Sequence, residues 1–228
     1  MSMRVAAIFA HPDDEVLGAG ASLALHARRG DSVRILILAT GLAARGKAAT
    51  PEIEALRERA RAAARTLGAE SVEFCDFPDN AMDGVPLIGI VQAVEKFLAE
   101  VRPRVVYTHH GGDLNVDHRV VHGAVLTACR PLPGAGEIEI LAAEVNSSTE
   151  WAAAPLAPFV PTDFVNVGAA VDKKVSALAC YAGEMREWPH PRSAEGVRAL
   201  ARWRGTQSGC DAAEAFMLVR RVRGGPPA

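Results

Sequence analysis

The chain has 228 residues, of which 49% are hydrophobic and 23% charged, with a formal net charge of −2. That length suits one α/β domain with a buried core better than two separate cores, and the composition excludes a disordered or fibrous chain. The charge balance offers no broad basic field, which argues against nucleic acid as a partner and toward a small molecule.

Apolar, β-branched runs alternate with helical patterns along the sequence. Residues 5–10 predict a strand, 15–29 a helix, 33–39 a strand and 51–67 a helix. The alternation continues with strands at 72–77 and 105–109 and helices at 86–101 and 118–129. Strands separated by single helices need right-handed crossovers, and these build a parallel sheet covered on both faces. The expected architecture is therefore α/β, a Rossmann-like three-layer sandwich with a mostly parallel central sheet.

Beyond Pro131 the pattern weakens, with strands near 138–145 and 164–171, helices near 172–183 and 193–203, and a closing edge strand at 219–222. The Ala- and Pro-rich stretch 150–161 reads as a loop. We expect residues 1–223 to form a single catalytic domain and the Gly- and Pro-rich residues 224–228 a disordered tail. No apolar run approaches the roughly 20 residues of a membrane span, and the first residues are strand-like, unlike a secretory signal. A cytoplasmic location is expected. Cys75, Cys129, Cys180 and Cys210 lack metal-type or redox-type spacing and read as reduced structural thiols.

In open parallel sheets, ligands bind beyond the carboxyl ends of the strands. Ala10-His11-Pro12-Asp13-Asp14-Glu15 stands at such an end. Pro12 stiffens the turn, and one acidic residue there is explained by helix capping. Three consecutive acids beside a histidine are not, because that much negative charge is costly unless a cation, a proton or helix N–H groups compensate it.

A second polar stretch, Tyr107-Thr108-His109-His110-Gly111-Gly112-Asp113-Leu114-Asn115-Val116-Asp117-His118, ends the fourth strand and holds three of the seven histidines. His11, Asp14 and His118 make two imidazoles and one carboxylate, which leaves a fourth tetrahedral position open, as a catalytic zinc requires. Iron or cobalt would suit the same donors. Asp13 is then free to act as a base. His122, four residues after His118, reads as a helix residue near the pocket, and His26 as a structural histidine. Of His109 and His110, one lines the site while the other packs under the loop.

These motifs, His11-Pro12-Asp13-Asp14-Glu15 and Asp117-His118, resemble those of the LmbE or PIG-L family of zinc-dependent N-acetylglucosaminyl deacetylases, with the order of elements alike over roughly residues 3–130. The resemblance implies a Rossmann-like fold, zinc on His11, Asp14 and His118, and Asp13 as general base. The implied reaction removes an N-acetyl group from an amino sugar or amino-sugar conjugate by metal-activated water. Arg57 and Asp79 match places where family members hold the sugar, with His110 and Asn115 as further substrate contacts. Many relatives carry a histidine where this chain has Asn115. Asp117 then either orients a catalytic partner or fixes a histidine tautomer. Relatives place a catalytic histidine in the C-terminal part, and His190, between two prolines, is the residue expected to stabilise the oxyanion. Ser148-Thr149-Glu150-Trp151 reads as a pocket wall or as a loop anchored by a buried tryptophan.

No Gly-x-Ser-x-Gly elbow supplies a serine nucleophile. The acids at 13–15 occupy the helix start where a dinucleotide's pyrophosphate would sit, against the glycines at 18 and 20. The remaining alternatives are a zinc amidase for a larger acyl group or a thiol conjugate, and a non-catalytic sugar-binding protein of the same fold. Relatives commonly form homo-oligomers, and the resemblance allows one here.

Overall fold

The computed structural model describes residues 2–42, 50–133, 136–153 and 156–222. Seven strands form one sheet: β1 (Arg4–Phe9), β2 (Ser32–Ala39), β3 (Ser71–Phe77), β4 (Val105–His109), β5 (Glu139–Ala143), β6 (Asp163–Asn166) and β7 (Ala213–Arg220). The helices are α1 (Asp14–Arg28), α2 (Thr50–Leu67), α3 (Leu87–Val101), α4 (Val116–Ala128), α5 (Val171–Leu178) and α6 (Ala194–Ser208). The strand order is β3-β2-β1-β4-β5-β7-β6. The first five of these pair in parallel, with Val5 opposite both Val33 and Val105, while β7 runs antiparallel to β5 and β6.

Alternation within β1 explains the layers. Val5, Ala7 and Phe9 face a core built with α1, α2, α5 and α6. Ala6, Ile8 and Ala10 face another, which Ile90, Val94 and Phe97 of α3 and Val121 and Val125 of α4 complete. A strand buried on both faces needs an unbroken apolar run, and Val5-Ala6-Ala7-Ile8-Phe9 supplies it. Gly18 lets α1 approach closely, since a Cβ there would lie 2.9 Å from the Phe9 ring. The result is the expected α/β three-layer sandwich. Among the described residues no helix is long and apolar enough to cross a membrane, and all four cysteines are free thiols.

The closing strand corrects the expectation of an edge strand at 219–222. It begins at Ala213 and lies inside the sheet between β5 and β6, so that β6 is the edge. Its Glu214 concealed it, as a charged residue in a central strand reads against strand. Here the carboxylate is buried and compensated, accepting from Lys174 Nζ at 2.7 Å and from the amides of Ala21 and Ser22 at 3.0 and 2.7 Å. The strand expected at 164–171 stops at Asn166, and the helix after it continues from Leu178 into a 3-10 turn, Ala179–Tyr181. The expected tail at 224–228 lies outside the described residues.

This order places the switch point between β1 and β4, whose crossovers leave in opposite directions. The loops after these two strands therefore open a crevice at their carboxyl ends.

Candidate metal centre

The turn after β1 is tied down at both ends. The Ala10 amide donates to His109 Nε2 at 2.8 Å, and the Asp13 amide to Glu15 Oε2 at 3.0 Å. Glu15 Oε1 in turn accepts from the Tyr181 hydroxyl at 2.6 Å. Burial pushes the Glu15 carboxyl up to about 7, with Tyr181 pulling the other way. Asp13 has a φ of 102°, in the left-handed region that a β-carbon disfavours. Asn80 and Ser147 share that region, at φ 52° and 64°, and all three line one cavity of about 190 Å³. Such backbone strain persists where surrounding contacts over-determine it and gathers at functional sites.

Asp14 is the hub of the cluster. Its Oδ2 lies 3.1 Å from both His11 Nδ1 and His118 Nε2. Four-coordinate zinc with bonds near 2.0–2.1 Å separates its donors by about 3.3 Å, close to these two spacings, and the ligand atoms of all three residues lie within 4.8 Å of one another. Asp14 Oδ1 is buried without a hydrogen-bond partner, a cost that a cation would remove. The other nitrogen of each imidazole also meets a carboxylate. His11 Nε2 lies 3.0 Å from Asp117 Oδ2 and 3.2 Å from Asp79 Oδ1, and His118 Nδ1 lies 3.1 Å from Asp113 Oδ1. Such contacts fix ring orientation and tautomer and make the coordinating nitrogen more basic. His11, Asp79 and Asp117 also lie close enough to hold an ion. Asp117, however, already accepts from the Asn80 and Met82 amides at 2.6 and 2.9 Å, which suits it to supporting His11.

The electrostatics follow from burial among opposite charges. Burial raises Asp14, but His118, His11 and His109 outweigh it and hold the carboxyl well below its usual range. Burial lowers His11, and hydrogen bonds to Asp117, Asp14 and Asp79 outweigh that and raise it. Asp13 goes the other way. Burial pushes it well up, Arg192 opposes, and Asp14, Glu15 and Glu184 add to the rise. A buried carboxylate next to a ligand set, with elevated proton affinity, is what a general base requires.

Of the residues singled out in the sequence, His11, Asp13, Asp79, Asn115, His118 and Ser148 line the cavity, and Asp14 touches both histidines. Asn115 accepts from the Asp117 amide at 2.8 Å, capping α4, and donates to Asn80 Oδ1 at 2.8 Å. Arg57, His110 and His190 are not among the described lining residues. Arg57 pairs with Asp76 and lies over the Phe74 ring. His110 packs under its loop against Ala157 O at 2.9 Å and the Phe159 ring. His109 stacks on His118 with centroids 3.8 Å apart. His190 accepts the Arg192 amide on Nδ1 at 3.1 Å and meets the edge of Trp151, which is itself half exposed and not a buried anchor. His122 Nδ1 donates to His109 O at 2.8 Å and stays off the ligand set.

Sequence reasoning did not single out Arg192, whose Nη1 lies 2.7 Å from Asp13 Oδ2, nor Asp113, Asn80, Ser147 and Glu184. Asp113 had a signal: it follows two glycines, and a Cβ at Gly112 would lie 1.9 Å from Ala157 O, so the loop is pressed against its neighbour. Arg192 had only its proximity to His190.

Fold and ligand cluster together define a metal-dependent enzyme at the switch point of an α/β sheet. The chain belongs to the PIG-L family, described as GlcNAc-PI de-N-acetylase, whose pattern it matches over residues 6–129. It is a metal-dependent hydrolase by that membership and by its buried histidine–aspartate cluster. It is 33% identical over 134 residues to the uncharacterized deacetylase YaiS of Escherichia coli K12, covering 57% of this chain and 69% of that protein. It is 30% identical over 207 residues to 4-oxalmesaconate hydratase of Pseudomonas putida KT2440, covering 80% of this chain and 74% of that one. Among solved structures, GalB, the 4-carboxy-2-hydroxymuconate hydratase of P. putida KT2440, superposes with a TM-score of 0.80 at 26% identity over 99% of this chain and 100% of GalB.

Proposed function

We propose that the chain is a zinc-dependent N-deacetylase acting on an N-acetyl amino sugar or its conjugate, with Asp13 as general base. The observation that carries this reading is the placement of Asp13, 3% exposed, at the wall of the cavity that also presents His11 and His118. Zinc held by His11, Asp14 and His118 would supply Lewis acidity toward water and the amide carbonyl. Asp13 takes a proton from the attacking water and returns it to the departing nitrogen, so that acetate and a free amine leave without any covalent bond to the protein. A cavity of about 190 Å³ is smaller than the roughly 300 Å³ at which drug-sized pockets begin, which favours a short acyl group over a long one. Asp79, Asn80 and Asn115 present acceptors and donors suited to sugar hydroxyls.

A second reading, addition of water to an unsaturated carboxylate, draws on the likeness to a hydratase over four-fifths of the chain. The same base would serve it. One experiment separates the two. Zinc-loaded, chelator-stripped and Asp13→Ala proteins are assayed for acetate release from a panel of N-acetyl amino sugars and for loss of ultraviolet absorbance from unsaturated dicarboxylates. We expect acetate release that needs metal and falls about 10²–10⁴-fold in Asp13→Ala while zinc content is unchanged. Loss of absorbance without acetate release would refute deacetylation and establish the second reading.

A further inference from the structure

Arg192 is the only lysine or arginine among the described residues lining the cavity. Its side chain is held from two sides: Nη1 donates to Asp13 Oδ2 and Nε to Ser147 Oγ, each at 2.7 Å. Its backbone is fixed as well. The Arg192 amide donates to His190 Nδ1 at 3.1 Å, and Asn146 Nδ2 donates to Pro191 O at 3.2 Å. Ser193 caps α6 by accepting from the Gly196 amide at 2.9 Å, and Gly196 is pressed so closely that a Cβ would lie 2.6 Å from Pro191 O. A flexible surface arginine would have none of these ties. Donors held in place before reaction cost no reorganisation when charge develops, and that is what makes them effective.

We infer that Arg192 is a catalytic residue that stabilises the carbonyl oxygen of the substrate as it becomes negative. The inference rests on the deacetylase reading. When water attacks, its O–H bond breaks with the proton passing to Asp13, a C–O bond forms, and the carbonyl π pair moves onto oxygen. One negative charge thus leaves Asp13, to which Arg192 is bonded, and arises on an oxygen in the same cavity. The guanidinium fork holds its positive charge in place while its negative partner changes from carboxylate to oxyanion. Collapse then breaks the C–N bond, restores the carbonyl, and passes the proton from Asp13 to nitrogen. His190 is a positioning residue in this scheme, acting through the Arg192 amide.

The test uses zinc-loaded wild-type, Arg192→Gln and Arg192→Lys proteins, with zinc content and circular dichroism checked for each. Acetate, which carries the same oxygen pair on the same carbon, is the binding probe, titrated calorimetrically. We expect Arg192→Gln to bind acetate at least tenfold more weakly, with Arg192→Lys between it and wild type and zinc affinity unchanged in both. In turnover, Arg192→Gln should lower kcat and kcat/KM together by about 10²–10³-fold with KM within about threefold, the pattern of an interaction made only in the transition state. Millimolar guanidinium should restore part of the rate. Unchanged acetate affinity, or a rise in KM alone, would overturn the proposal. If the wild type binds acetate but releases none from any amide, the deacetylase reading fails while the binding contrast still judges Arg192.

Discussion

Asp113 is not among the described residues lining the cavity, yet replacing it should weaken metal binding. It is fully buried. Its Oδ1 accepts from Ser148 Oγ and from the Asn115 amide at 2.9 Å and lies 3.1 Å from His118 Nδ1, while Oδ2 accepts from Thr149 Oγ1 at 2.6 Å. Burial raises Asp113, and His118, Ser148 and Thr149 outweigh it and hold its carboxyl below the usual range, so it stands ionised behind the ligand. Removing such a partner typically costs 10–100-fold in metal affinity, or about 1.4–2.7 kcal/mol. Asp113→Asn keeps the shape and one oxygen and should fall near tenfold. Asp113→Ala removes every contact and should fall near a hundredfold. Asp113→Ala also strands the Ser148, Thr149 and Asn115 donors, at about 1 kcal/mol or more each, so the metal-free protein should lose about 3 kcal/mol. Zinc affinity is measured by competition with a chromophoric chelator, and metal-free stability by urea unfolding. Thr149→Val, which removes one donor and leaves His118 alone, should keep zinc affinity within about twofold. An Asp113→Ala protein with wild-type zinc affinity would refute the argument.

Two further outcomes follow from buried charge elsewhere. Lys174 and Glu214 are both nearly inaccessible, and Lys174 also donates to Leu17 O at 2.7 Å. Lys174→Met should therefore cost about 3–5 kcal/mol in urea unfolding, because it leaves the Glu214 carboxylate buried without its cation. Glu15 gives a pH dependence. With a folded value near 7 against 4.5 for the free group, the native chain keeps a proton that the unfolded chain has lost between those values. The stabilisation is full below pH 4.5 and lost as pH rises through about 7, amounting to about 3 kcal/mol. In chelator-treated protein, the stability difference between wild type and Glu15→Gln should shift by about that amount between pH 4.5 and 8, and a flat difference would contradict it.

The amino-terminal half of the fold could be read from the sequence because its physics is local. Val5-Ala6-Ala7-Ile8-Phe9 can only be a strand buried on both faces, and the helix-forming stretches between such runs leave little choice but parallel pairing. The carboxy-terminal half depends on tertiary compensation. Glu214 sits comfortably in a central strand only because Lys174 and the amides of Ala21 and Ser22 reach it, partners 40 and about 190 residues away. No window of sequence contains that information. Local hydrophobicity accordingly placed the last strand too late and at the wrong position in the sheet.

The site divides along the same line. His11, Asp13 and Asp14 are contiguous and chemically conspicuous, and His118 opens a helix at the matching strand end, so their convergence follows once the sheet is parallel. Arg192 is different. Its loop comes from beyond α5, and what brings its guanidinium to Asp13 is a set of individually ordinary contacts with Asn146, Ser147 and His190. Proline-flanked His190 stood out by residue type, whereas geometry gives the cavity to its neighbour two positions on. The reason is physical. An imidazole accepting a backbone amide and packed on Trp151 is committed to holding the loop, while a long guanidinium can reach from that fixed base into the site. The ligand set therefore reports which chemistry is available, and the loop after α5 decides which positive charge faces the cavity.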